Sequence, residues 1–168
     1  MFRVKGKDKQ DHEYHVKLIE GVASKDIGAG IVLAAVYFEW CVRRCILALS
    51  ISPVAAIRAK LDDKKMHIDE LHDLWKCEVK RMHADVPSLS GFFDNQKKKP
   101  TVGGRPLTWA RIKQAISKRN CLAHGSCCDP KPIHGEKYLE TLLVASRMLV
   151  DMAESKKRSI FKIVRRHA

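Results

Sequence analysis

The longest apolar run of the chain, Ile27 to Ile51, carries three charges near its middle: Glu39, Arg43 and Arg44. The run invites a membrane reading, but the centre of a bilayer is where charge is most costly. The sequence therefore predicts a helix buried in protein, with no membrane association. A helix apolar on nearly every side buries the face that carries Glu39 too. A buried carboxylate needs a partner. Arg43, one turn on, and Arg119, on another element, are the two candidates, and spacing along the chain does not choose between them.

Helical spacing dominates the rest, and no strand is evident. Lys9 to Ala23 places Tyr14, Leu18 and Val22 on one stripe. Gly28 and Gly30 loosen the start of the apolar helix, which runs to about Ser50 and stops before Pro53. Pro53 to Leu61 reads as a short helix with proline in its first turn. Asp62–Asp63 then caps a helix through Ala84, whose stripe is Ile68, Leu71, Trp75, Val79 and Met82. Residues 85–105, with Pro87, Gly91, Pro100, Gly103, Gly104 and the run Lys97–Lys98–Lys99, read as a long loop. Helix resumes at Pro106 and closes at Gly125, and after a break from Ser126 to Gly135 a last helix runs from Glu136 to about Arg165. Its basic end, within 156–168, holds Lys156, Lys157, Arg158, Lys162, Arg165 and Arg166. The expected architecture is all-α: a single domain over 1–168, an up-and-down bundle of four to six helices.

Lys and Arg outnumber Asp and Glu by 32 to 19, a net charge of +13. Such a surplus favours polyanionic partners and salt-sensitive association. Met1 to Leu18 is charged throughout and unlike a secretory signal. Six cysteines without a signal point to reduced thiols and a cytoplasmic location.

On the Pro106–His124 helix, Trp109, Ile112 and Ile116 form the apolar stripe, and the same step next lands on Arg119. An arginine where a core would hold Leu or Ile has to snorkel out, meet a carboxylate or lie in a polar interface. Such departures from pattern concentrate at working sites. Asn120 and His124, four apart, share a face. Arg119 and His124, five apart, are separated by about 140° around the helix. The helix C-terminus favours an imidazolium there and the neighbouring Lys118 and Arg119 oppose it. A permanent cation, an amide and a titratable imidazole suit phosphodiester cleavage without metal.

The string Arg119–Asn120–Cys121–Leu122–Ala123–His124–Gly125 resembles the R-N-x-x-x-H-G form of the HEPN-domain ribonuclease motif. The order of a long apolar helix early, the motif helix late and a closing helix is similar too. The resemblance implies a metal-independent endoribonuclease, often a toxin or host-defence effector, working as a dimer whose two motifs face one cleft. It carries over Arg119, Asn120 and His124, and makes Glu39 the acidic residue that many members set against the motif from an early helix. The expected partners are an RNA substrate, a second copy of the chain, and an antitoxin or nucleotidyltransferase. A non-catalytic HEPN module binding RNA or nucleotide beside such a partner is the alternative, and a helical interaction protein is a third.

The remaining features read more plainly. Lys97, Lys98, Lys99 and Lys118 are candidate RNA contacts. Cys121, His124, Cys127, Cys128 and His134 match no common zinc spacing, so no metal and no cofactor are expected. Cys41 and Cys45 read as buried thiols, Trp40, Trp75 and Trp109 as core anchors, and His67, His72 and His83 as surface residues.

Overall fold

The apolar helix is the axis around which the rest of the chain is laid. In the computed structural model, which describes residues 7–62, 67–81, 83, 85–125 and 132–161, it is α2 (Ile27–Leu49). It packs most extensively on α7 (Pro132–Ser155), then on α1 (Lys7–Ala23) and α6 (Trp109–Ala123). Phe38, Cys41, Cys45 and Ile46 of α2 are fully enclosed and share one core with Leu142 and Leu149 of α7. Three shorter helices complete the fold: α3 (Val54–Asp62), α4 (Ile68–Trp75) and α5 (Leu89–Asp94). The expected all-α bundle is what the chain adopts, the short segments bringing the described α-helices to seven.

The α1–α2 junction depends on a close approach. Asp26 caps α2 by accepting from the Ala29 N–H at 3.0 Å. Gly30, far from merely loosening the helix, lies against the end of α1: a Cβ there would stand 2.4 Å from the Cβ of Ala23 and 2.8 Å from its Cα. The stripe expected on α1 is turned the other way. Tyr14, Leu18 and Val22 face solvent, while His12 and Ile19 go inward. Both sides of α1 carry apolar groups, so periodicity alone could not select the buried one.

His12 is buried in a polar seam that joins α1, α2 and α7. Its Nδ1 shares a hydrogen bond of 2.9 Å with the Tyr37 hydroxyl, and the buried Cys41 thiol, next along α2, interacts with Tyr37 and Ser146. Burial pushes the Cys41 thiol up to about 12 and raises Tyr37 as well. Burial first, and Arg147 second, hold His12 down at about 4 against an ordinary 6.5. Asp151 and Glu13 pull the other way.

The segment expected as a loop over 85–105 contains structure. Ser88 caps α5, accepting from Gly91 N–H at 3.2 Å, and Leu89, Phe92 and Phe93 are buried. Thr101–Val102 then pairs antiparallel with Arg105–Pro106. Gly103 and Gly104, at φ 56° and 73°, make the tight turn between them, a conformation for which glycine is best suited. The following helix accordingly starts at Trp109, capped by Thr108, and not at Pro106.

Three other boundaries differ from expectation. The last helix begins at Pro132, four residues before Glu136. The expected 62–84 helix is divided: Asp62 belongs to α3, α4 begins after His67, and its continuation, Lys76–Lys80, is a π-helical turn. Asp63, Met82 and Ala84 lie outside the described residues. Within the turn Glu78 is buried and accepts from Ser50 (3.2 Å), Ser52 (2.8 Å) and Lys60 (2.5 Å). The last helix ends at Ser155, not near Arg165. Lys157 takes a left-handed φ of 56°, and Arg158 N–H bonds back to the Ala153 carbonyl at 2.9 Å. The chain then turns inward to bury Ile160, whose carbonyl accepts from Arg44 Nε. Of the basic end, Lys156, Lys157 and Arg158 therefore follow the helix, and Lys162, Arg165 and Arg166 lie outside the described residues.

His72 and His83 are half-buried rather than superficial. His72 Nε2 and Ser90 Oγ are 3.0 Å apart, its ring stacks near Trp109, and His83 Nε2 lies 2.8 Å from the Leu49 carbonyl. Trp75 and Trp109 are core anchors and Cys41 and Cys45 core thiols, as their spacing suggests; Trp40 is partly covered.

Two outcomes follow from this packing. Gly30→Ala should lose about 1–3 kcal/mol, the usual penalty for forcing atoms into a filled contact, measured by urea denaturation. The unfolded chain protonates His12 near 6.5 and the folded one only near about 4. Stability toward unfolding should therefore decrease as the pH drops through that window, and His12→Gln should flatten that part of the stability–pH curve.

Candidate functional site

Arg119 is the residue that breaks the inner face of α6. Trp109, Ile112, Ala115 and Ile116 on that face are buried, and Arg119 continues it toward α2. There its Nη2 donates to Oε1 of Glu39. Of the two partners open to Glu39, Arg119 thus forms the ion pair described, and Arg43 Nη1 donates to the Leu61 carbonyl at 3.0 Å. The Arg119 and Glu39 side chains keep only 22% and 18% of their surface exposed. Arg119 Nε is fully enclosed with no hydrogen-bond partner among the described residues. A buried donor left unpaired costs about 1–3 kcal/mol, so the pair is held at some expense.

The pair forms one wall of a cleft of about 560 Å³ between α2, the start of α4 and α6. Asn120 stands on its exposed side, with Arg43, His67, Asp69 and Lys113 completing the polar lining. Lys113 donates to Asp69 at 2.9 Å, and Glu70 folds back to accept from His67 N–H at 2.7 Å, fixing the start of α4. Two of the three lining cations, Arg119 and Lys113, face a carboxylate of the cleft. The cleft is polar and nearly charge-balanced.

The motif residues do not all share this cleft. Glu39, Arg119 and Asn120 line it, whereas His124 is not among the lining residues. His124 is the C-terminal cap of α6, exposed, at φ −97° and ψ 3°, with its N–H on the Asn120 carbonyl at 3.1 Å. Gly125 follows in the left-handed conformation, φ 63°, which ends the helix. The imidazole thus sits one turn beyond the cleft, at the C-terminal end of α6. Of the basic candidates, Lys97 and Lys98 are exposed and Lys99 half-buried before the hairpin. Lys118 is half-buried on α6, and none of the four lines the cleft.

Lys113 and Asp69 belong to the cleft although no motif marks them, and His67, expected as a surface residue, lines it too. They come together only when α4 is laid beside α6, and no local spacing announces that. Among the described residues no group of three His, Cys, Asp or Glu could hold a metal ion, and Cys127 and Cys128 lie outside them. No described helix is long and apolar enough to cross a membrane. Comparison of the chain with family models, curated proteins and solved structures finds no match.

The coupling across the pair can be measured. A double-mutant cycle of Glu39→Gln and Arg119→Gln is expected to give an interaction of about 1–3 kcal/mol. That lies between the roughly 0–1 of exposed pairs and the roughly 3–5 lost on breaking buried ones. Equal denaturation midpoints for wild type and all three variants would show the pair to be energetically idle.

Proposed function

We propose that this chain is a metal-independent endoribonuclease of the HEPN type, acting on RNA through Arg119, Asn120 and His124. The observation that supports it best is Arg119 itself. It is a guanidinium in an apolar register, held by Glu39 at the wall of a cleft and one turn and a half before an exposed imidazole. In this reading a scissile phosphodiester lies along the end of α6. His124 removes the proton from the 2′-hydroxyl, whose oxygen attacks the adjacent phosphorus in line. The bond to the 5′-oxygen breaks, that oxygen takes up a proton, and a 2′,3′-cyclic phosphate and a 5′-hydroxyl remain. Arg119 faces the charged phosphoryl oxygens and Asn120 orients a phosphate oxygen or the imidazole. Glu39 is a positioning residue, fixing the guanidinium through the ion pair.

One imidazole per chain serves better as one of two, a base and an acid. A second copy related by a two-fold axis would supply the other. The apolar groups that α1 and α2 leave in solvent, Tyr14, Leu18, Leu33 and Val36, are a surface such a copy could cover. A toxin or phage-defence effector, restrained by an antitoxin, is the biological setting this activity suits.

The position of His124 outside the cleft favours a second reading. A non-catalytic HEPN module would use Arg119, Asn120 and the cleft to hold RNA or nucleotide beside a nucleotidyltransferase or other partner, and would not need a convergent imidazole.

Cleavage of single-stranded RNA in excess EDTA separates the two. Wild type should cut and leave a 2′,3′-cyclic phosphate, with DNA of the same sequence intact. His124→Ala should slow cleavage by about 10²–10⁴ and Arg119→Ala by about 10²–10³, with helicity unchanged. An absolute need for magnesium, a 5′-phosphate product, or full activity in His124→Ala would refute the proposal.

A further inference from the structure

A second polar cleft, of about 360 Å³, lies on another side of α6. The β-hairpin, α6 and α7 enclose it, and Arg105, Arg111 and Lys137 supply its charge, with His134, Gln114 and Tyr138 as further polar groups. Among the described residues no carboxylate lines it, and none of those three cations is in an ion pair. This is the opposite of the Arg119 cleft, where acids answer two of the cations.

The site is also built. Arg111 Nη1 donates to the Arg105 and Pro106 carbonyls at 2.8 and 3.1 Å, and Nη2 to the Val102 carbonyl at 3.0 Å. Those bonds fix the guanidinium without neutralising it and tie the hairpin to α6. At the hairpin tip a Cβ on Gly103 would meet the Lys137 stem at 3.3 Å. The tip thus rests on the lysine's methylenes, which limits where its ammonium can go. Positive groups gathered in a concave site without counter-ions attract an anion, and a fixed guanidinium meets a phosphate with little ordering cost.

We propose that the hairpin–α6–α7 cleft is a second phosphate-binding subsite, which holds a backbone phosphate of single-stranded RNA away from the scissile linkage. The choice of RNA rests on the function proposed above; the anion chemistry does not. Arg111 and Arg119 stand eight residues apart on one helix, about 12 Å along its axis. The exposed ridge between the two clefts, Ala110, Lys113, Gln114, Ser117 and Asn120, presents only small or polar side chains over which a strand can pass.

The test uses the full chain and a short, labelled 2′-O-methyl RNA, which lacks the attacking hydroxyl and so reports binding alone. Arg105→Gln/Lys137→Gln changes two exposed side chains and leaves the carbonyls that hold Arg111. It should weaken binding by roughly tenfold at ~0.1 M salt and flatten the log–log salt dependence by about 0.7, the share of one phosphate contact on a single strand. Lys17→Gln/Lys25→Gln removes two charges from exposed positions elsewhere and should do neither. Equal affinity of the hairpin variant and wild type overturns the proposal, as does an equal loss in the control pair. Pyrophosphate serves as the free-anion probe. If it raises the melting temperature of wild type and not of the hairpin variant while RNA binding is unchanged, the cleft takes free phosphate and the RNA assignment fails. Because binding is read without cleavage, the two ideas fail separately. Hairpin-dependent binding without any cleavage sinks the nuclease, and cleavage with hairpin-independent binding sinks the subsite.

Discussion

Enclosing α2 is the constraint on which everything else rests. Its side chains are apolar nearly all round, so no single neighbour can cover it, and α7, α1 and α6 each take part of its circumference. Burial on that scale drags in groups that do not belong in a core. Glu39, Arg44 and Tyr37 each come to terms with it through a specific partner: Arg119, the Ile160 carbonyl and His12. These bonds select which helix lies where, because an apolar surface alone is indifferent to its neighbour.

Arg119 shows how such a constraint and a chemical site can coincide. Pairing with Glu39 removes the cost of placing a guanidinium against the core, and it also aims the group along the wall of a cleft. The enclosed Nε, without a partner among the described residues, marks a place where packing stops short of full polar satisfaction. His124 obeys different rules. It caps the C-terminus of α6 with its side chain exposed, and among the described residues no hydrogen bond or ion pair holds the imidazole.

The sequence was most readable where burial and periodicity coincide. The charged apolar run, the stripes of α4 and α6 and the off-pattern Arg119 all describe one helix facing one core, and these were legible. Pairing across elements was not, since Glu39 with Arg43 and Glu39 with Arg119 satisfy the same local rule. The face of α1 could not be chosen because apolar residues lie on both sides of it. The hairpin had a signal, two glycines between a valine and an arginine, that was outweighed by the proline and lysine content around it. Lys157 gave none: a lysine in a left-handed cap looks like any other residue of a basic helix end.

The π-helical turn at Lys76–Lys80 changes the phase of the chain. One extra residue in a turn rotates everything after it by about 100° relative to an α-helix. The apolar line through Ile68, Leu71 and Trp75 passes into this turn, where the Glu78 carboxylate is buried. Ser50, Ser52 and Lys60, at the far end of α2 and on α3, meet that carboxylate. Glu78, three residues on from Trp75, is on the inner side by ordinary helical spacing, so what the irregularity rotates is the chain beyond it, while the carboxylate stays the common acceptor of two hydroxyls and an ammonium.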